Sequence, residues 1–103
     1  MTNARIVLTT VGVLETADKL AEQLVELRLA ACVNIIGPVR SVYRWKGKVE
    51  HQQEYLLLIK SNVQRAEQLS SVLTELHPYE LPELLEITIS GGSSEYLAWL
   101  TEN

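Results

Sequence analysis

The chain has 103 residues, of which 47% are hydrophobic and 21% are charged, so it can bury one core and is not composed like a disordered segment. Nine lysines and arginines against 13 aspartates and glutamates give a net charge of −4, which disfavours nucleic-acid and anionic-membrane partners. The single cysteine, Cys32, excludes an internal disulfide, and no apolar run approaches the ~20 residues that would cross a bilayer. We therefore expect one soluble, cytoplasmic domain over 1–103.

The first two predicted elements are a strand and a helix. Residues 6–11 form a short run rich in β-branched side chains that ends at Gly12, which is typical of a strand. Apolar residues then recur at spacings of three and four, which predicts an amphipathic helix over about 15–30. Thr16 is the candidate cap at the start of this helix.

The next strand is predicted in two parts. Residues 32–36 are apolar and β-branched, and strand character resumes over 39–45 after a Gly-Pro pair. Because proline cannot donate to a strand ladder, we expect a bulge or bend at this pair. In the second part, alternation places the basic residues on one face and Tyr43 and Trp45 on the other.

A hairpin then leads into a long return strand. Lys46-Gly47 is the predicted turn, and the return strand is predicted over 49–60. Its first half, 50–54, is polar on both faces, so we expect it to project from the body. Its second half, 55–59, is apolar on both faces, so we expect it to be central and covered on both sides.

The remaining elements are a helix, a strand and a short helix. A capping-box pattern at Ser61 predicts the start of the second helix, which ends at His77 because a proline follows. The last strand is predicted over 83–89 and a short closing helix over 94–100. The order is β-α-β-β-α-β, which predicts an α+β, ferredoxin-like sandwich with two helices on one face of the sheet and a short C-terminal helix.

Two helices would leave the second face of this sheet uncovered. Apolar side chains in 55–59 point to both faces, so the open face would be larger than the apolar patches usual on monomers. We expect copies of the same chain to cover it, with the hairpin at 39–54 as an arm that grips a neighbour. The alternative is a monomer with a partly apolar sheet surface.

Few residues suggest chemistry. Cys32 lies in an apolar strand without a nearby base, which favours a small packing residue over a nucleophile. His51 and His77 are the only imidazoles, too few for a structural zinc site, although a weak site at His77 with carboxylates stays open. No nucleophile, phosphate-loop or zinc-protease motif is present, so we expect no enzymatic activity and no required cofactor.

The most unusual segment is 77–83, where two prolines hold an imidazole, a phenol and two carboxylates. It is either a functional loop or a structural connection whose residues satisfy one another. Lys60 is predicted near the same sheet edge, where it would pair with Glu80 or bind an anion. Trp45, near the hairpin tip, would either anchor a partner or stack on a ligand.

Five blocks together resemble the CutA divalent-ion tolerance family, in order and over nearly the whole chain. They are 29–36, 41–50, 59–60, 77–83 and 96–100, which read LAACVNII, SVYRWKGKVE, IK, HPYELPE and YLAWL. The resemblance implies a ferredoxin-like homotrimer, similar in architecture to PII-type signalling trimers, with no assigned catalytic activity and a link to tolerance of copper and other divalent cations.

The resemblance also implies a metal site that this chain only partly keeps. Copper-binding members resemble this chain but carry a cysteine where Thr9 stands and a second histidine where Leu76 stands, so only His77 remains. We therefore expect at most weak binding of Cu²⁺ or another divalent cation. The alternative function is a PII-like sensor that binds a small anionic ligand in inter-subunit clefts, lined by Trp45, Lys60, Tyr79 and Glu80, and signals to a protein partner. A third is a stable trimer that serves a partner interaction.

Overall fold

The computed structural model describes residues Thr2–Asn103 and confirms the α+β fold. The elements are β1 (Ala4–Val11), α1 (Leu14–Glu26), β2 (Cys32–Trp45), β3 (Lys48–Asn62), α2 (Ala66–Leu76), β4 (Leu85–Thr88) and α3 (Ser94–Glu102). The strands form one antiparallel sheet in the order β2-β3-β1-β4. This order places the apolar half of β3 in the interior of the sheet, as predicted. No helix of the described chain is long and apolar enough to cross a membrane.

The core lies between one face of the sheet and the helices α1 and α2. Alternate residues of β1 and β3 point to this face, where they meet the apolar stripes of both helices. The residues buried there all have apolar side chains: Val7, Val11, Ala17, Leu20, Leu24, Leu29, Ala30, Leu57, Ile59, Leu69 and Leu73.

The second face of the sheet, which we call the open face, is covered only at one end. There α3 packs on the sheet, burying Leu100 and Ala4, and the Asn62 amide donates to the Thr101 carbonyl at 3.4 Å. Cross-strand pairing places the remaining apolar residues of this face side by side in β1, β3, β2 and β4: Ile6, Leu8, Leu56, Leu58, Ile36, Leu85 and Ile87. Each of them keeps part of its surface in water within a single chain.

The β2–β3 hairpin extends beyond the sheet as an arm. The pairing shifts between Ile36 and Val39, which confirms the predicted bulge. Gly37 allows the close approach there, because a Cβ atom would lie 2.7 Å from a ring carbon of Tyr55. At the tip, Lys46 and Gly47 have φ values of 50° and 80°, which confirms the predicted turn. The whole molecule measures 44 × 26 × 23 Å along its principal axes.

The first helix is shorter than predicted at its C-terminal end. Helix α1 ends at Glu26 because Arg28 has a φ of 60°, and the Arg28 and Leu29 amides donate to the Val25 and Leu24 carbonyls. The prediction to residue 30 was wrong because Leu29 and Ala30 continue the apolar spacing while packing in the core from a turn. Thr16 lies inside the helix and does not cap it.

Ser61 does not begin the second helix, so this prediction was also wrong. Ser61 is buried and is the residue before the last in β3. Its hydroxyl donates to the Leu29 carbonyl at 2.6 Å. Asn62 instead shapes the turn, since its side-chain oxygen accepts from the Arg65 amide at 3.1 Å, and α2 begins at Ala66. Strand β4 is limited to four residues because it pairs only with Arg5–Leu8 of β1.

Candidate ligand cleft

A cleft of about 830 Å³ opens at the end of the sheet opposite α3. One wall is the arm and the other is the connection from α2 to β4. Its volume lies in the range of small-molecule sites. The lining residues come from β1, both strands of the arm and that connection: Thr10, Ser41, Val42, Tyr43, Trp45, Gln52, Glu54, Pro78, Tyr79, Glu80, Leu81, Pro82 and Glu83.

A chain of hydrogen bonds crosses the floor of this cleft. The Tyr43 hydroxyl donates to Gln52 Oε1 at 2.6 Å, and Gln52 Nε2 donates to the Tyr79 hydroxyl at 3.1 Å. The Tyr79 hydroxyl in turn donates to Glu54 Oε2 at 2.8 Å. Every donor in the series therefore points toward the Glu54 carboxylate, which fixes the orientation of that side chain.

Tyr79 is held as a donor in this series. Burial raises the pKa of Tyr79, and the neighbouring Glu54 carboxylate raises it further, because a phenolate beside a carboxylate is unfavourable. The phenol therefore keeps its proton at neutral pH. Gly12 lies against the same group, and a Cβ atom there would come within 3.2 Å of the Tyr79 hydroxyl.

His77 lies behind the cleft with both ring nitrogens in hydrogen bonds. Nε2 is 2.9 Å from the Thr10 carbonyl, and Nδ1 accepts from the Tyr79 amide at 3.1 Å. Because the carbonyl can only accept and the amide can only donate, this geometry selects the Nε2–H tautomer. The ring is 7% exposed and packs edge-on against Tyr79 at 4.8 Å. His77 therefore positions the 77–83 segment against the end of β1.

The residues compared with a copper site do not converge in one chain. Thr9 is fully buried among the strands, and its hydroxyl has no hydrogen-bond partner among the described residues. Leu76 is apolar and 40% exposed. Across residues 2–103, no three His, Cys, Asp or Glu side chains are grouped closely enough to hold an ion. The residues present thus do not form a metal centre within the chain, and weak binding at His77 stays a prediction.

Three of the four predicted cleft residues line this cleft: Trp45, Tyr79 and Glu80. Lys60 does not, because it lies six positions along β3 from Glu54, about 20 Å away at the usual rise of a strand. Its ammonium group instead lies 3.4 Å from the Tyr96 hydroxyl and 5.7 Å from the centre of that ring. The predicted pairing of Lys60 with Glu80 is therefore absent from this chain, and whether the cleft lies between subunits stays a prediction.

Sequence reasoning missed Glu54, Gln52 and Tyr43. The segment 50–54 was expected to be polar and projecting, and this is wrong for Glu54, which is only 5% exposed. Two signals indicated the site: Glu54 directly precedes the apolar run of β3, and Tyr43 shares its strand face with Trp45. Neither signal identifies Tyr79 as the partner, since that contact spans 25 residues.

Comparison with known proteins identifies the family. A family model described as the CutA1 divalent ion tolerance protein matches residues 5–103. The divalent-cation tolerance protein CutA of Thermus thermophilus is 47% identical over 98 residues, covering 95% of each chain, and that of Pectobacterium atrosepticum is 45% identical, covering 95% of this chain and 89% of its own. The solved structure of the Thermus thermophilus protein superposes with a TM-score of 0.94 at 46% identity, covering 97% of each chain. The chain is therefore a member of the CutA divalent-cation tolerance family.

Proposed function

We propose that this CutA protein acts as a non-enzymatic, cytoplasmic homotrimer that contributes to the tolerance of divalent cations. Tolerance is the role that the names of its relatives state. The observation that carries the association is the open face, where seven apolar residues from four strands form one surface that no part of the described chain covers. The number of three copies is what the resemblance to the CutA family implies.

The size of this surface favours association. Leu85 is 54% exposed, and Ile36 and Ile87 are each 44% exposed, although all three lie on a sheet rather than on a loop. Covering 400 Å² of apolar surface contributes on the order of 10 kcal/mol before the costs of association. The arm would provide a second contact, because Val49 on its outer part is 57% exposed within a single chain.

Sedimentation equilibrium at micromolar concentration tests the proposal. We expect a particle of three times the 11.6 kDa chain mass. A particle of the single-chain mass would show that the open face is tolerated in water, and the proposed assembly would then be rejected.

We also propose that any divalent-cation binding at His77 is weak. A metal ion needs a ring nitrogen lone pair, and the only one in this tautomer already accepts from the Tyr79 amide. Exposed His51 on the arm is the matched control. In a copper titration followed by imidazole NMR, we expect the His51 signals to broaden first and the His77 signals to change only at millimolar copper. Broadening of His77 at equimolar copper would contradict this proposal.

The PII-like alternative with an anionic ligand is not favoured by the cleft. Three of its lining residues are carboxylates, Glu54, Glu80 and Glu83, and none of the described lining residues is basic. An anion entering there would be repelled rather than bound.

A further inference from the structure

The charge of the cleft points to a ligand class other than the divalent cations of the proposed function. Glu54 is 5% exposed, and its carboxylate accepts one hydrogen bond, from Tyr79, out of the four or so that it can accept. The one ion pair between side chains of residues 2–103 joins Arg5 and Glu86, so within a single chain Glu54 has no cationic partner. The other carboxylate oxygen accepts no hydrogen bond from the described chain and is not among its buried unpaired atoms, so it is open to the cleft, where a cation can contact it.

The walls of the cleft suit an organic cation. Tyr43, Trp45 and Tyr79 present aromatic rings, and such rings attract ammonium groups through their faces. Trp45 already does so, since the ammonium group of Lys46 lies 5.8 Å from the centre of its ring. Leu81 and two prolines complete a lining that can contact a hydrocarbon chain.

The arrangement of the carboxylates favours an extended cation over a metal ion. Glu54 lies on the floor, whereas Glu80 and Glu83 lie on the exposed connection, and the three do not converge on a point where an ion could be held. A linear amine with two or more ammonium groups carries its positive charges at intervals along a hydrocarbon chain. This spacing of charges matches a cleft whose carboxylates lie apart from one another.

We propose that the cleft binds a linear aliphatic di- or polyamine, with one ammonium group on Glu54 and the others toward Glu80 and Glu83. The hydrogen-bond series from Tyr43 through Gln52 and Tyr79 holds Glu54 in place for this contact. The amine chain lies against the aromatic wall.

Isothermal titration calorimetry of the full chain with putrescine and spermidine tests the proposal. We expect saturable binding, tighter for the triamine, and no binding of butanediol or succinate, which match the length of putrescine without its positive charges. Glu54→Gln is expected to weaken binding roughly thirtyfold or more, because it removes a buried partner of the ammonium group. Glu22→Gln on the exposed face of α1 makes the same charge change outside the cleft and should leave binding unchanged.

A second pair of variants keeps the test valid if Glu54→Gln fails to fold. Glu80 is exposed, so Glu80→Gln should fold normally and still weaken spermidine binding. Trp45→Leu should weaken it about two- to fivefold, as expected for a partly exposed ring. Absence of saturable amine binding, equal binding of succinate, or unchanged affinity in both Glu54→Gln and Glu80→Gln overturns the proposal. Sedimentation of the same samples reports the trimer separately, so failure of one proposal is distinguishable from failure of the other.

Discussion

Replacing Leu58 with arginine is expected to convert the proposed trimer into single chains at micromolar concentration. Leu58 lies in the middle of the open face, directly between Leu8 of β1 and Asn34 of β2. In a trimer, each copy would bring an unpaired guanidinium group into an apolar interface, at a cost of several kcal/mol per buried charge. In a single chain the same group can reach water, because Leu58 is only half-buried there. Sedimentation equilibrium measures the change directly.

Two further variants make this result interpretable. Gln23→Arg adds the same charge on the exposed side of α1 and should leave the trimer mass unchanged. Leu85→Arg is placed on β4, where the leucine is 54% exposed, so the fold of the single chain should tolerate it while the open face still gains a charge. If both arginine variants of the open face keep the trimer mass, that face is not the surface through which the copies associate.

Leu57→Ala is expected to lower the free energy of unfolding by about 2–5 kcal/mol per chain without changing the oligomeric state. Leu57 is fully buried beneath α1 and α2, on the opposite face of β3 from Leu58. The substitution removes apolar surface and leaves a cavity that the helices can only partly close. Guanidinium unfolding followed by circular dichroism measures the loss.

The neighbouring substitution Leu58→Ala is the matched control, since it removes the same atoms from the other face. We expect it to make the assembly dissociate at higher protein concentration, so that the unfolding midpoint loses its concentration dependence in dilute samples, because the substitution weakens association rather than the core. Leu57→Ala should leave that concentration dependence as in the unmodified protein. The reverse pattern would mean that the helices and the open face have been assigned to the wrong sides of β3.

Local patterns were sufficient for the order and type of the elements. The bulge at Gly37 and the turn at Gly47 follow from backbone chemistry that acts within a few residues, and so does the end of α2 before Pro78. The apolar run of β3 indicated its interior place in the sheet because only a covered strand is apolar on both faces. The end of α1 was missed, since Arg28 carries the left-handed conformation that usually marks a glycine.

The candidate site could be predicted only in part, because local patterns do not show which distant segments meet. Trp45, Tyr79 and Glu80 were identifiable as unusual residues, but the environment of each side chain depends on the segment that packs against it. His77 looked available as a ligand in the sequence, whereas the fold occupies both of its nitrogens with the Thr10 carbonyl and the Tyr79 amide. Lys60 was predicted near Glu80 because it ends a buried strand that was expected to reach the sheet edge of the 77–83 segment, but antiparallel pairing places Lys60 at the opposite end of the sheet.

By itself, the sequence determined the succession of strands and helices, the excess of apolar surface on the sheet and the family. Each of these follows from the periodicity of apolar residues or from short blocks of contiguous residues. Only the tertiary structure decided which polar residues meet. It brought Glu54 into a hydrogen bond with Tyr79 without a cationic partner from the same chain, and it placed Lys60 at the far end of the strand beside Tyr96. The physical reason is that hydrogen bonds and charge interactions act over a few ångströms in space, so their partners depend on strand register and chain reversal rather than on spacing along the chain.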